Sequence, residues 1–294
     1  IGDIKPEITQ AWGLTHTVPL VAGMGDGQAA GVGAAAVSAD TMYLNLGTAV
    51  VAGLHGPDYA YGKAYRTLAA GIPDWYDFEL LLSSGAFLAT WFREALGNPA
   101  LGNKPDPQLE AEASEVPVGS LGLITMPYWN AVQTPHWDPV ARGAVVGWRG
   151  IHKRPAMYRS ILESIGLEMR NGLEGLEADT GTKVTQIRSM GGGNRSRLWR
   201  QIMTDSMGVP ITACTEDEIS ALGAAVAAMS VTGVHGDPDI AVYAEKMAQF
   251  GDTTEPDQAN YEVYGEVLEI QRKIYPALRE VNSDINEFMK RHPG

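Results

Sequence analysis

Three apolar stretches each run into a glycine turn, and this recurrence limits what the chain can build. In Val18-Pro19-Leu20-Val21-Ala22-Gly23-Met24-Gly25-Asp26-Gly27-Gln28, a short apolar run ends in alternating glycines that flank one carboxylate, and small residues follow. Leu44-Asn45-Leu46-Gly47-Thr48 repeats the device, and the alternation from Val184 to Met190 enters Gly191-Gly192-Gly193-Asn194-Arg195-Ser196. Glycine lets a backbone pass close to a ligand, and such turns expose N–H groups to anions. An acid set among several such turns is what phosphoryl transfer to a hydroxyl requires.

The 294 residues suffice for one large domain or two small ones with a substantial core. A formal charge of −13 argues against nucleic acid as a partner, because phosphate backbones are bound through clustered cations. Arg188, Arg195, Arg197 and Arg200 run against that trend around the triple glycine and suggest a small anionic ligand. Cys214 is the single cysteine, which excludes an internal disulfide and fits a cytoplasmic protein. It follows an apolar run and reads as a core residue. The six histidines lack metal-ligand spacing, so no metal site is expected. No apolar run is long enough to span a membrane, and no signal peptide is visible. A first residue Ile1 points to a longer polypeptide.

Periodicity places strands over residues 20–23, 41–53 with a break at Gly47-Thr48, 121–126, 184–189 and 209–213. Helices are expected over 26–37, 84–96, 155–179, 196–207, 218–232 and 261–289, the last interrupted at Pro276. Residues 59–76 read as extended structure with a hairpin, 98–107 as a connection, and 127–143 as a long irregular region containing Trp129 and Trp137. Strands separated by helices indicate an α/β fold, a mixed sheet flanked by helices with further helices at the C-terminal end.

Asp26 at a strand end can accept a proton from a substrate alcohol; it equally suits a helix N-cap, and local sequence leaves both roles open. A Rossmann turn fits poorly, because no acid closes the next strand. No Gly-x-x-x-x-Gly-Lys-Ser/Thr motif occurs.

In combination, Gly23-Met24-Gly25-Asp26-Gly27-Gln28-Ala29-Ala30, Leu46-Gly47-Thr48, Ser84-Gly85-Ala86 with Trp91, Pro135-His136 through Arg142-Gly143, Gly191 to Gln201, and Glu218 to Ala225 resemble the FGGY family of carbohydrate kinases. The resemblance implies an actin-like ATPase (ribonuclease H-like) fold, with residues 1–294 as the C-terminal lobe of a two-lobe enzyme that lacks its N-terminal lobe. It implies ATP and Mg2+ as cofactors and a sugar as substrate. It makes Asp26 the catalytic base and places Asp26 and Gln28 at the sugar. Gly47 and Thr48 fall at the nucleotide phosphates, Gly85 at a further nucleotide-side position, and Gly192, Gly193 and Arg197 at the adenosine. Residues 218–225 match the helix behind the adenosine pocket.

Two departures bear on the substrate. Gly27 stands where glycerol kinases usually carry a glutamine. Thr134-Pro135-His136 with Asp138-Pro139 is closer to the xylulokinase branch, although residues 128–133 differ from it. A ketopentose such as D-xylulose is the expected substrate, with other ketoses, glycerol or other polyols as alternatives. A nucleotide-driven conformational module of the actin type is the competing class. A lobe lacking one wall of its cleft is expected to be inactive alone, and its uncovered apolar surface points to a possible homodimer.

Overall fold

The computed structural model describes residues 2–98, 100–101, 105–233 and 239–293. Part of the connection expected over 98–107 lies outside the described residues. Strands β1 (Gly2–Asp3) and β2 (Pro19–Leu20) pair around helix α1 (Pro6–Ala11), which buries no residue. The chain then forms α2 (Asp26–Gly33), β3 (Thr41–Leu46), β4 (Val50–Gly56), β5 (Arg66–Ala69) and β6 (Tyr76–Leu82). Helices α3 (Ala86–Leu96) and α4 (Pro107–Ser114) lead to β7 (Ile124–Met126), β8 (Ala144–Val146) and the long α5 (Arg154–Thr180). The last part is β9 (Gln186–Met190), α6 (Arg197–Met207), β10 (Ile211–Cys214), α7 (Ile219–Thr232), α8 (Ile240–Met247), β11 (Phe250–Thr254) and α9 (Gln258–Arg291).

Among the described residues, seven strands form one sheet in the order β11-β10-β9-β3-β4-β6-β5. Strands β3, β9 and β10 run parallel, and the other pairings are antiparallel. Alternation divides the side chains between two faces. Leu44, Leu46, Ala52, Leu54, Leu80 and Leu82 are fully or almost fully buried beneath α5 and α6, which contribute Ile161, Ile165, Leu173 and Ile202. Each such leucine contributes about 1.5–3 kcal/mol through burial. On the other face Tyr43 packs on Ala30 of α2 and on Ala34 just past it, with α7 and α8 outside.

The small residues of α2 permit contact between helix backbones. A Cβ at Gly33 would be driven into the Ile219 carbonyl oxygen, and one at Gly223 into that of Ala29. One side of α7 is buried in this way, while Ala221, Ala224 and Ala225 are exposed.

Three sequence expectations need correction. The strand expected over 20–23 is only Pro19–Leu20, and it is exposed, because it has β1 alone to pair with. Helix α2 stops at Gly33 rather than at residue 37. Pro276 does not interrupt α9, which runs unbroken from Gln258 to Arg291. Tyr264, Leu268, Gln271 and Tyr275 before the proline and Asn282 beyond it are buried, so packing on both sides offsets the lost backbone donor. Helix α4 and edge strand β11 are additional elements; the latter has little apolar alternation and is mostly exposed. Cys214 is buried as expected, and burial pushes its thiol up to about 11.

Gly223→Ala is expected to destabilise the chain by about 3 kcal/mol or more through overpacking against a backbone that cannot yield. Urea denaturation measures this, and a loss below about 1 kcal/mol would contradict the close α2–α7 contact.

Candidate active site

Parallel neighbours end together, so the turns that follow β3 and β9 lie on one edge of the sheet. Met190 registers beside Asn45, and Gly191 then crosses the end of β3. Gly191 has φ +87, and a Cβ there would stand 2.9 Å from the Leu46 carbonyl carbon, so the turn requires glycine. Gly193 lies against the Trp199 ring, whereas Gly192 has open space around it. Ser196 then caps α6, its hydroxyl accepting from Trp199 N at 3.1 Å.

The turn between β3 and β4 holds the start of α3. Gly85 N donates to the Thr48 carbonyl at 3.0 Å, Ala86 N to Gly47 O at 2.9 Å and Phe87 N to Thr48 O at 3.2 Å. A side chain at residue 85 would meet Val50 N at 2.6 Å. Gly85 is therefore buried behind the Gly47-Thr48 turn, while Thr48 is exposed in front of it.

A cleft of about 890 Å³ opens beside these turns on the face covered by α5 and α6. Gly47, Thr48, Gly192, Gly193, Arg195 and Arg197 line it, together with Thr90, Arg93, Glu110 and Tyr158. Glu110 ties three helices together. Its two carboxylate oxygens accept from Tyr158 Oη at 2.6 Å and from Ser196 Oγ at 2.8 Å. Burial pushes the Tyr158 hydroxyl well above its ordinary range, so it stays protonated as the donor. The arginine cluster expected around the triple glycine is divided. Arg188 stacks on Phe250 at 4.1 Å, and Arg200 bonds Asn194 O and Thr254 Oγ1, so only Arg195 and Arg197 line the cleft. No residue of α7 lines it either; the expected helix behind an adenosine pocket lies with α2 on the opposite face.

Asp26 is exposed and is the first residue of α2, with Gly25 at the cap position. The carboxylate is not the cap: among the described residues it accepts from its neighbour Gly27 N, at 3.0 Å, and makes no capping bond. The Asp26 carbonyl accepts from Ser220 Oγ of α7 at 3.0 Å. Going backwards along α2, Gly31 sits over Tyr43 and His55, Gln28 meets Asp77, and Gly27 meets Glu79. The helix therefore climbs β6 toward the glycine edge, and its N-terminus with Asp26 leads in that direction. Asp26 thus belongs to the sheet face opposite the one that carries the cleft.

Gln28 is not where the sequence expectation put it. It is buried, and its amide donates to Asp77 Oδ2 at 2.9 Å, so it faces the core rather than a sugar. Asp77 and Glu79 escaped the sequence reading, although their alternation with Phe78 and Leu80 on β6 marks a polar strip facing α2. Burial holds both carboxyls above their ordinary range. Nothing local in the sequence pointed to Glu110.

Among the described residues, no group of three or more His, Cys, Asp or Glu is placed to hold a metal ion, and no helix is long and apolar enough to cross a membrane.

A mixed sheet between helical layers, with glycine hairpin turns on one edge, defines an actin-like ATPase lobe of the ribonuclease H-like α/β class. The model of the FGGY family of carbohydrate kinases, C-terminal domain, matches residues 42–231, and the chain belongs to that family. Xylulose kinase of Escherichia coli (strain K12) is 30% identical over 286 residues, covering 94% of this chain and 56% of that protein. Glycerol kinase of Nitratidesulfovibrio vulgaris (strain DP4) is 28% identical over 277 residues, covering 90% and 52%. The crystal structure of xylulose kinase from Rhodospirillum rubrum superposes with a TM-score of 0.85 at 25% identity, covering 96% of this chain and 56% of that one. The chain thus spans about half the length of the relatives it matches.

Asp26→Ala is expected to change stability by less than about 1 kcal/mol, the charge–dipole contribution of a first-turn acid. Glu110→Ala, which strands two hydroxyl donors, is expected to cost about 2 kcal/mol. Equilibrium denaturation of the two variants checks the contrast, and equal losses would make Asp26 a structural residue.

Proposed function

We propose that this chain is the C-terminal lobe of a two-lobe sugar kinase that transfers the γ-phosphoryl group of ATP to a sugar hydroxyl. The substrate proposed is a ketopentose such as D-xylulose. The observation that carries the reading is that the glycine turns at residues 47–48 and 192–193 line one cleft, in a chain whose helix α2 opens on an exposed carboxylate. Family membership supports a kinase, and the xylulose kinase relative supports the sugar class. The glycerol kinase relative keeps polyols within the substrate panel.

In this reading Asp26 accepts the proton of the attacking hydroxyl as that oxygen approaches phosphorus, which makes the alcohol oxygen more nucleophilic. The Gly47-Thr48 turn presents backbone N–H groups and a hydroxyl to the phosphate oxygens, and Gly85 fixes the turn from behind. Gly192, Gly193 and Arg197 border the volume for the nucleoside. The cleft is large enough for a nucleotide, and Leu46, Ala86, Ala89, Leu198 and Trp199 offer apolar surface to a base. Mg2+ would be carried mainly by the phosphates, where it neutralises charge; the described residues offer it no cluster of their own. The opposing wall belongs to an N-terminal lobe, so the isolated chain is proposed to bind nucleotide without turning over sugar.

The test is ADP formation from MgATP across a panel of ketoses and polyols. The assay uses this chain alone and this chain joined to the N-terminal lobe of a xylulose kinase. Sugar-dependent ADP release is expected only from the joined protein. Asp26→Asn should lower its turnover by about 10²- to 10⁴-fold with nucleotide affinity within about twofold. Sugar-independent ADP release would favour the conformational-module reading, and robust sugar phosphorylation by the chain alone would overturn the lobe assignment.

A further inference from the structure

We propose that Asp77, acting through Gln28, is the positioning residue that sets where the Asp26 carboxylate points. The inference rests on reading Asp26 as the base and adds a buried polar chain that governs it.

Asp77 lies on β6 directly beneath α2 and is fully buried. Its Oδ2 accepts from Gln28 Nε2 and from Tyr43 Oη, each at 2.9 Å. Gln28 is two residues from Asp26, within the first turn of the helix, so this bond fixes the rotation of that turn. Residue 27 is seated on the same floor. A Cβ on Gly27 would stand 2.9 Å from Glu79 Oε2, and Glu79 is itself held by Arg66. The carboxylate of residue 26 is thus attached to a helix turn whose next two residues both rest on buried acids.

The chain continues to the other end of α2. His55 Nδ1 lies 2.7 Å from the carbonyl oxygen of Ala36, just past the helix. A carbonyl only accepts, so Nδ1 carries the proton there. In the neutral ring, Nε2 is then a bare acceptor, and it faces Asp77 Oδ1 across 3.9 Å. Both atoms are buried and have no hydrogen-bond partner. The two groups thus face one another across the floor beneath α2. Asp77 therefore links a contact at the start of α2 with a contact just beyond its end. Few other polar contacts could hold the helix, because residues 28–33 are small apart from Gln28 and Val32.

The arrangement specifies which substitution should be tolerated. In Asp77→Asn the amide oxygen can still accept from Gln28 and Tyr43, and the amide nitrogen can donate to His55 Nε2. Asp77→Leu removes every one of these bonds, and Gln28→Leu removes only the one to the first turn.

Two measurements test the proposal. The first is amide hydrogen exchange of this chain followed by mass spectrometry. Gln28→Leu and Asp77→Leu should raise exchange within residues 27–33 by about tenfold or more, with β3 and β9 within about twofold of wild type. Asp77→Asn should remain close to wild type. The second is steady-state kinetics of the chain joined to an N-terminal lobe. The leucine variants should lose about 10- to 100-fold in kcat with KM for ATP unchanged, and Asp77→Asn should retain most of it. Wild-type exchange in Gln28→Leu, or an asparagine variant as impaired as the leucine one, would overturn the proposal. Should Asp77→Leu fail to fold, Gln28→Leu carries both measurements. Exchange that responds as expected while Asp26→Asn leaves turnover intact would sink the kinase reading and leave the clamp standing.

Discussion

The contact on which the rest depends is backbone against backbone, where Gly33 and Gly223 let α2 and α7 touch without intervening side chains. Helices kept apart by ordinary side chains pack with axes about 8–10 Å apart. Gly33 and Gly223 remove that spacing, and the short helix carrying Asp26 is pressed between α7 and the sheet. On the inner side, Gly31 does the same against Tyr43 and His55, whose ring atoms lie 2.7–2.9 Å from where its Cβ would be. A helix with no side chains to spread outward cannot find another register easily. Its N-terminus, and the acid there, inherit their position from packing that lies away from the solvent.

The two faces of the sheet divide the work. The face under α5 and α6 is a conventional apolar core, and where its helices splay at the glycine edge they leave the large cleft. The face under α2 is polar at its centre, with Tyr43, His55, Asp77 and Glu79 in place of leucines. Burying four such groups costs stability unless each finds a partner. Dispersion is not directional whereas hydrogen bonds are, so these polar groups can orient the helix where an apolar floor could not. The polar centre is thus explained by what it aligns, the first turn of α2 with the rim where the glycine turns lie.

Much of this was legible in the sequence. The β3–β4 hairpin, the long α5, the capped α6 and the small-residue helices at 26 and 219 carry strong local signals, and their boundaries differ by only a few residues except at the end of α2. The glycine turns were also legible, because a glycine that must accept a close neighbour leaves its mark in the chain itself. Residues whose role depends on a distant partner were not. Gln28 reads as a polar residue beside an acid, and only the packing of β6, some fifty positions on, turns its amide inward. Glu110 joins α4 to α5 and α6 across separations of 48 and 86 residues, which no local window can register. Pro276 illustrates the converse, a strong local signal overruled by tertiary contacts along one helix face.

An exposed carboxylate is a poor base for an alcohol, since water stabilises the carboxylate and competes with the substrate for its lone pairs. The environment that makes such an acid useful is one from which water has been removed and in which the alcohol is held in line. On the proposed reading, Asp26 has part of that environment in this chain, a helix turn seated on the buried acids Asp77 and Glu79. Nothing in the described residues covers it from above. The relatives are nearly twice as long as this chain, and on the proposed reading the missing half supplies that cover. Closure of one lobe on the other would then act on an acid whose direction is already fixed. The energy of closing would go into excluding water rather than into ordering α2. This explains why the buried clamp belongs to the lobe that carries the acid: a base oriented only by its substrate or its opposing lobe would lose that orientation each time the cleft opened.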